Sequence, residues 1–184
     1  ETGDWITPWF DIGVPFWGKP PLSFWTQALS FKLFGVSEFA GRLPSWLANV
    51  GIVWLVYNLR RYLHPDPLGH GAKTQGLWAA LIYATTALGF LSAGTVMTDS
   101  FLALGTSLTL VSLIIRLQGG PPLWGWLFFI GLATGLLAKG PLVLVLAGLP
   151  VFLWALTFNR WQTLWHSLPW VRGWPTMQGP YGNY

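Results

Sequence analysis

The stretch LWAALIYATTALGFLSAGTVMT (Leu77–Thr98) runs for 22 positions without a charged residue; Asp99 follows, and SFLALGTSLTLVSLII (Ser100–Ile115) adds 16 more. A bilayer core of about 30 Å needs roughly 20 apolar helical residues to cross it. Both runs are continuous rather than alternating, so they predict helices and not the strands of a barrel. Working outward, charge-free runs recur at Leu43–Leu59 (17 positions), Leu123–Ala138 (16) and Gly140–Asn159 (20). The two 16-residue runs end beside Arg116 and Lys139, whose long side chains can reach the membrane surface. The fold expected is all-α: a multi-pass transmembrane helical bundle of about five spans, covering residues 43–160.

Composition supports this reading. Charged residues make up 9% of the 184, against roughly 25% in a soluble domain, and 53% are hydrophobic. So few charges cannot cover a water-soluble globule. The 14 tryptophans suit the membrane–water interface, where a flat apolar ring meets a polar partner. The absence of cysteine excludes disulfides and thiolate metal sites. Net charge is +4, from 10 Lys and Arg against 6 Asp and Glu. The basic residues are scattered between apolar runs and form no tract, so no nucleic-acid partner is expected. His64, His70 and His166 lack metal-ligand spacing, and no P-loop, dinucleotide fingerprint or nucleophile elbow is found. No metal site or certain cofactor is read from the residues; a divalent cation stays open.

Residues 1–42 carry Asp4, Asp11, Lys19, Lys32, Glu38 and Arg42 among many aromatics and read as an outer loop. Within it, Pro20-Pro21 precedes Leu22–Phe34, with apolar residues at Leu22, Trp25, Leu29 and Leu33. That spacing predicts an amphipathic juxtamembrane helix. Residues 161–184 are left as an unassigned tail, rich in Gly and Pro after Arg172. The chain begins at Glu1 and shows no charged n-region with a cleavage site, so it is expected to be a piece of a longer protein. If the spans alternate, Arg60, Arg61, Lys73, Arg116 and Arg160 share one side, which the positive-inside rule makes cytoplasmic. Asp99, Lys139 and residues 1–42 then face outward. Lys19, Lys32 and Arg42 run against the rule, and function is one explanation for them.

Asp99 is the sharpest feature, a carboxylate between two apolar runs where it needs water, a cation or a partner. One reading is an active-site acid at the outer mouth of the bundle; another is the start of the helix that follows. Both stay open and are compatible. Lys139 falls on the same side and has parallel readings: a partner for Asp99 or for a phosphate, or a snorkelling lysine. Lys19, held by Pro20-Pro21, could present an ammonium to a phosphate or simply be solvated. Gly131-Leu-Ala-Thr-Gly135 is a GxxxG pattern and predicts a close helix–helix contact.

These residues resemble a known family. Gly3–Pro8, Gly18–Leu22 and Phe31–Ser45 look like the first outer loop of ArnT-like and protein O-mannosyltransferase-like enzymes of the GT-C class. Met97-Thr-Asp99 resembles their "TD" element and Leu137–Pro141 their "TKGP" element, in the same order, over roughly residues 1–160. The resemblance implies an integral glycosyltransferase of a bacterial inner membrane with its site facing the periplasm. It would take a sugar from a polyprenyl-phosphate donor and pass it to a lipid or protein acceptor. It places Lys19 and Lys139 on the carrier phosphate and Asp99 at the catalytic centre. The family's usual catalytic acid would lie upstream of Glu1, so this piece is expected to be inactive alone. Aminoarabinose lipid A transferases often carry Glu before Lys-Pro-Pro; here it is Gly18, so that residue's role does not carry over and the aminoarabinose–lipid A pair is left open. A transporter or flippase for lipid-linked intermediates is the alternative. It should show internal repeats and charges near mid-membrane, whereas here no repeat is seen and the charges sit at span ends. A membrane scaffold would leave Asp99 unexplained.

Overall fold

The computed structural model describes residues 9–11, 14–15, 20–63, 71–86, 89, 91 and 94–168. They form a helical bundle preceded by one short antiparallel ribbon, in which β1 (Trp9–Asp11) pairs with β2 (Val14–Pro15). That ribbon is a small departure from the all-α expectation, and it lies in the segment read as a loop. The helices are α1 (Leu22–Phe34), α2 (Glu38–Leu63), α3 (Gly71–Thr85), α4 (Asp99–Leu117), α5 (Leu123–Lys139), α6 (Leu142–Thr157) and α7 (Trp161–Ser167). By length and composition, α2 and α4 could each cross a membrane; α5 and α6 are shorter apolar helices. At 1.5 Å per residue, α2 extends about 39 Å and α4 about 28 Å.

Boundaries differ from the sequence reading in informative places. Helix α2 begins at Glu38, inside the expected loop, and closes its first turn with an Arg42–Glu38 ion pair at 3.2 Å. The run Leu77–Thr98 is not one described helix, because α3 starts earlier, at Gly71, and stops at Thr85. Two threonine hydroxyls turn back at that point. Thr85 Oγ1 donates to the Leu81 carbonyl at 2.8 Å and Thr86 Oγ1 to the Tyr83 carbonyl at 2.8 Å. Such bonds compete with the helical ladder. Charge-free length alone does not reveal them.

Packing divides into two clusters, one at each end of the bundle. Ala48, Phe101, Leu102, Ala138 and Val143 form the first, with Leu22 of α1 against it. Leu55, Val111, Ile115 and Trp124 form the second, where Trp54 stacks on Trp124 at 5.7 Å between ring centroids. Much of the remaining apolar surface points outward. Helix α6 buries Val143, Ala147 and Ala155 but exposes Leu144, Val145, Leu149 and Phe152. Small residues inside and large apolar ones outside is the pattern of helices packed in lipid.

Helix α1 docks through a buried hydrogen bond as well as through Leu22. Pro44 lies inside α2 and has no N–H to give to the Ala40 carbonyl one turn back. Ser30 of α1 supplies the missing donor, its hydroxyl reaching that carbonyl at 2.6 Å in a buried contact. Leu29 and Leu33, read as the helix's apolar stripe, are exposed, at 52% and 67%, while Ser23 and Ser30 face inward. Ser30→Ala should therefore cost about 1–3 kcal/mol, because it leaves a buried carbonyl unpaired. A lowered unfolding midpoint in detergent checks this; an unchanged midpoint would mean the contact does not hold α1.

Candidate functional site

Asp99 opens α4. Thr98, the residue before it, makes no side-chain capping bond; the Phe101 and Leu102 amides turn to the Thr98 carbonyl at 3.2 and 3.3 Å. The Asp99 carboxylate instead forms an ion pair with the Lys139 ammonium. Lys139 closes α5, and both charges suit the helix ends they occupy, acid at an N-terminus and base at a C-terminus. Gly140 follows with φ 63°, and its N–H bonds the Leu136 carbonyl at 2.8 Å. A Cβ at Gly140 would meet nothing within 4 Å. Backbone conformation rather than space therefore favours glycine there. Pro141 then precedes α6, where its missing N–H is no loss.

The two charges meet because α4 and α5 touch backbone to backbone. A Cβ at Gly105 would lie 2.6 Å from the Gly135 nitrogen, and one at Gly131 2.6 Å from the Thr109 nitrogen. The GxxxG pattern is thus a helix contact, as its spacing predicts. It fixes the antiparallel register that brings the start of α4 beside the end of α5. The pair sits at a surface mouth, with 58% of the Asp99 side chain and 34% of the Lys139 side chain exposed. Directly beneath is the first apolar cluster, containing Phe101 and Ala138.

Lys19 lies outside the described residues. Three residues on, Leu22 packs against the cluster that contains Phe101. Nearby, an apolar groove of about 340 Å³ opens between α1, α2 and α4, lined by residues including Leu29, Ser30, Pro44 and Phe101. Sequence reasoning missed both this groove and the Ser30–Ala40 bond that shapes it. A proline inside a helix was the available signal. No group of three or more His, Asp or Glu residues suited to a metal occurs among the described residues.

The sequence profile of the dolichyl-phosphate-mannose-protein mannosyltransferase family matches residues 18–175. The chain belongs to that family. It is similar to the undecaprenyl phosphate-alpha-4-amino-4-deoxy-L-arabinose arabinosyl transferase of Pseudomonas aeruginosa (strain UCBPP-PA14), 34% identical over 171 residues, which is 90% of this chain and 29% of the relative. The enzyme of that name from Edwardsiella ictaluri (strain 93-146) is 29% identical over 199 residues, covering 100% of this chain and 35% of its own length. The chain thus spans about a third of the length of these relatives. Among solved structures it is similar to ArnT from Cupriavidus metallidurans. The crystal structure bound to undecaprenyl phosphate gives a TM-score of 0.79 at 20% identity, over 92% of this chain and 30% of that one. The apo structure gives 0.78 at 21%, over 91% and 30%. These structural likenesses establish the fold.

Proposed function

We propose that this chain is part of an integral membrane glycosyltransferase that moves a sugar from a polyprenyl-phosphate donor to a lipid or protein acceptor. The observation that carries the reading is the Asp99–Lys139 ion pair at one end of the bundle, in a chain of a mannosyltransferase family. In such a reaction the acceptor oxygen attacks the anomeric carbon. The bond from that carbon to the carrier phosphate breaks, and the phosphate leaves with the bonding electrons. Lys139 and Lys19 are the cations that would stabilise this charge as it develops. Asp99 is a carboxylate of the catalytic centre, in addition to the acid expected upstream, and would orient the acceptor or take its proton. The groove beside Phe101 offers an apolar wall for an isoprenoid tail.

In this reading residues 43–160 supply five spans of a bacterial inner membrane, α1 lies along the outer surface, and the Asp99 end faces the periplasm. Exposed Leu29 and Leu33 support that placement of α1, since they would meet lipid. The relatives' names specify 4-amino-4-deoxy-L-arabinose on undecaprenyl phosphate, which makes that donor the first to test. The full-length protein should be reconstituted in liposomes with this donor and candidate acceptors. Release of undecaprenyl phosphate that depends on the acceptor is the expected result. Donor crossing the bilayer intact, with no release, would replace the enzyme by a flippase.

A further inference from the structure

The end of the bundle opposite Asp99 carries a feature that sugar transfer does not use. Helix α6 stops at Thr157, and Asn159 adopts φ 50°. Asn is among the residues that tolerate this left-handed region, and it turns the chain into α7. Arg116, at the end of α4, holds the far end of α7: its Nε–H donates to the Ser167 carbonyl at 3.0 Å, and its Nη1–H to the Gly120 carbonyl at 2.6 Å. Ser167 and Leu168 are buried by this docking. Trp161 and Trp165, one helical turn apart, remain 42% and 57% exposed. The Trp161 ring also meets Phe152 of α6 edge-on at 5.5 Å, so the tryptophan face continues the outward apolar surface of α6. Gln162 and His166 are offset from the tryptophans around the helix and are exposed too.

Charge at this end is one-sided. Arg60 and Arg61 close α2, Lys73 lies in the first turn of α3, Arg116 closes α4 and Arg160 precedes α7. Arg61, Lys73 and Arg160 are exposed. Among the described residues of this end there is no Asp or Glu; Asp66 lies in the loop outside them. Tryptophans favour the headgroup level of a bilayer, and clustered basic residues at that level attract anionic lipids.

We propose that α7 and the basic residues around it form a bilayer-surface anchor. Trp161 and Trp165 seat at the boundary of headgroups and acyl chains, and Arg61, Lys73 and Arg160 take the phosphates of anionic phospholipids. A protein partner is disfavoured by continuity with α6, whose exposed side chains are apolar from Leu142 to Leu156. Arg116 acts as the tether that sets the anchor's depth.

The test uses the full-length protein in nanodiscs. The 184 residues contain no cysteine, so with any cysteine outside them replaced, Trp165→Cys and His166→Cys each give a unique site for a nitroxide label. Oxygen should reach the label at position 165 more readily than an aqueous nickel chelate does, with the reverse at position 166. Equal behaviour at the two positions, or shielding of position 165 from both reagents, would overturn the seating. A spin-labelled phosphatidylglycerol should also be retained over phosphatidylcholine by up to about five-fold per basic residue. That preference should fall in an Arg61→Gln, Lys73→Gln, Arg160→Gln triple variant. Equal retention of the two lipids by the unmodified protein would overturn the headgroup assignment.

Discussion

Lys139→Met in the full-length protein should lower sugar transfer by about 10²–10³-fold, the usual effect of removing a group that stabilises charge developing in the transition state. Methionine keeps most of the aliphatic stem and removes only the charge. Asp99→Asn, which preserves shape, should cost about 10²–10⁴-fold if the carboxylate takes a proton. Neither change should unfold the protein. The side chains are 34% and 58% exposed, and exposed ion pairs contribute about 0–1 kcal/mol. Activity and stability therefore separate cleanly, as a merely structural pair would not allow. The double variant should be little worse than the poorer single one, because groups that act as a unit are not additive. Lys139→Arg should recover part of the rate, since the positive charge returns but the planar guanidinium cannot present the same single point of charge. Transfer rates and thermal midpoints measured on all four proteins decide the matter. Unchanged rates in both single variants would remove this pair from the site.

How much of this was legible in the sequence depends on the kind of interaction. Apolar runs located the helices because membrane burial acts on composition, and a carboxylate between two such runs is conspicuous for the same reason. GxxxG spacing correctly marked a backbone contact, since only glycine permits it. The end of α3 was not legible, because Thr85 and Thr86 bond carbonyls three or four residues back, and threonine does so inside many uninterrupted helices. Nor was the orientation of α1: its leucines predicted an apolar stripe, but a proline vacancy in another helix decided which side faces the bundle. Arg116 was legible only as a charge for orientation and as a side chain able to reach the membrane surface, while its role as a tether depends on two carbonyls, one of them 51 positions away in sequence. The Asp99–Lys139 pairing lay between these cases. Their common side followed from alternation, but their contact required the glycine register.

That register leads to the second large effect, Gly131→Ala. Intrinsic helix propensity favours alanine over glycine by up to about 1 kcal/mol, so an isolated helix would gain. Here the new Cβ would stand 2.6 Å from the Thr109 nitrogen and 2.9 Å from the Gly105 carbonyl oxygen. Both are backbone atoms, so no change of rotamer can relieve the contact, and α4 and α5 must move apart. Overpacking typically costs about 1–3 kcal/mol, and a clash with two stretches of backbone belongs at the upper end. Separation also draws the end of α5 away from the start of α4, so transfer should fall along with the unfolding midpoint, unlike the pattern for Lys139→Met. Gly148→Ala in α6 is the matched control: a Cβ there meets nothing within 4 Å, so stability should hold or rise slightly. Thr109→Gly should not rescue Gly131→Ala: it removes the Thr109 Oγ1, which also lies 2.6 Å from the new Cβ, but leaves the Thr109 nitrogen and the Gly105 carbonyl oxygen in the way. Two results would count against this account. If Gly131→Ala were as stable as the parent, the interlock would not set the helix spacing; if Thr109→Gly restored it, the contact would be one of side chains, and the ion pair at the bundle's mouth would owe its geometry to something other than these glycines.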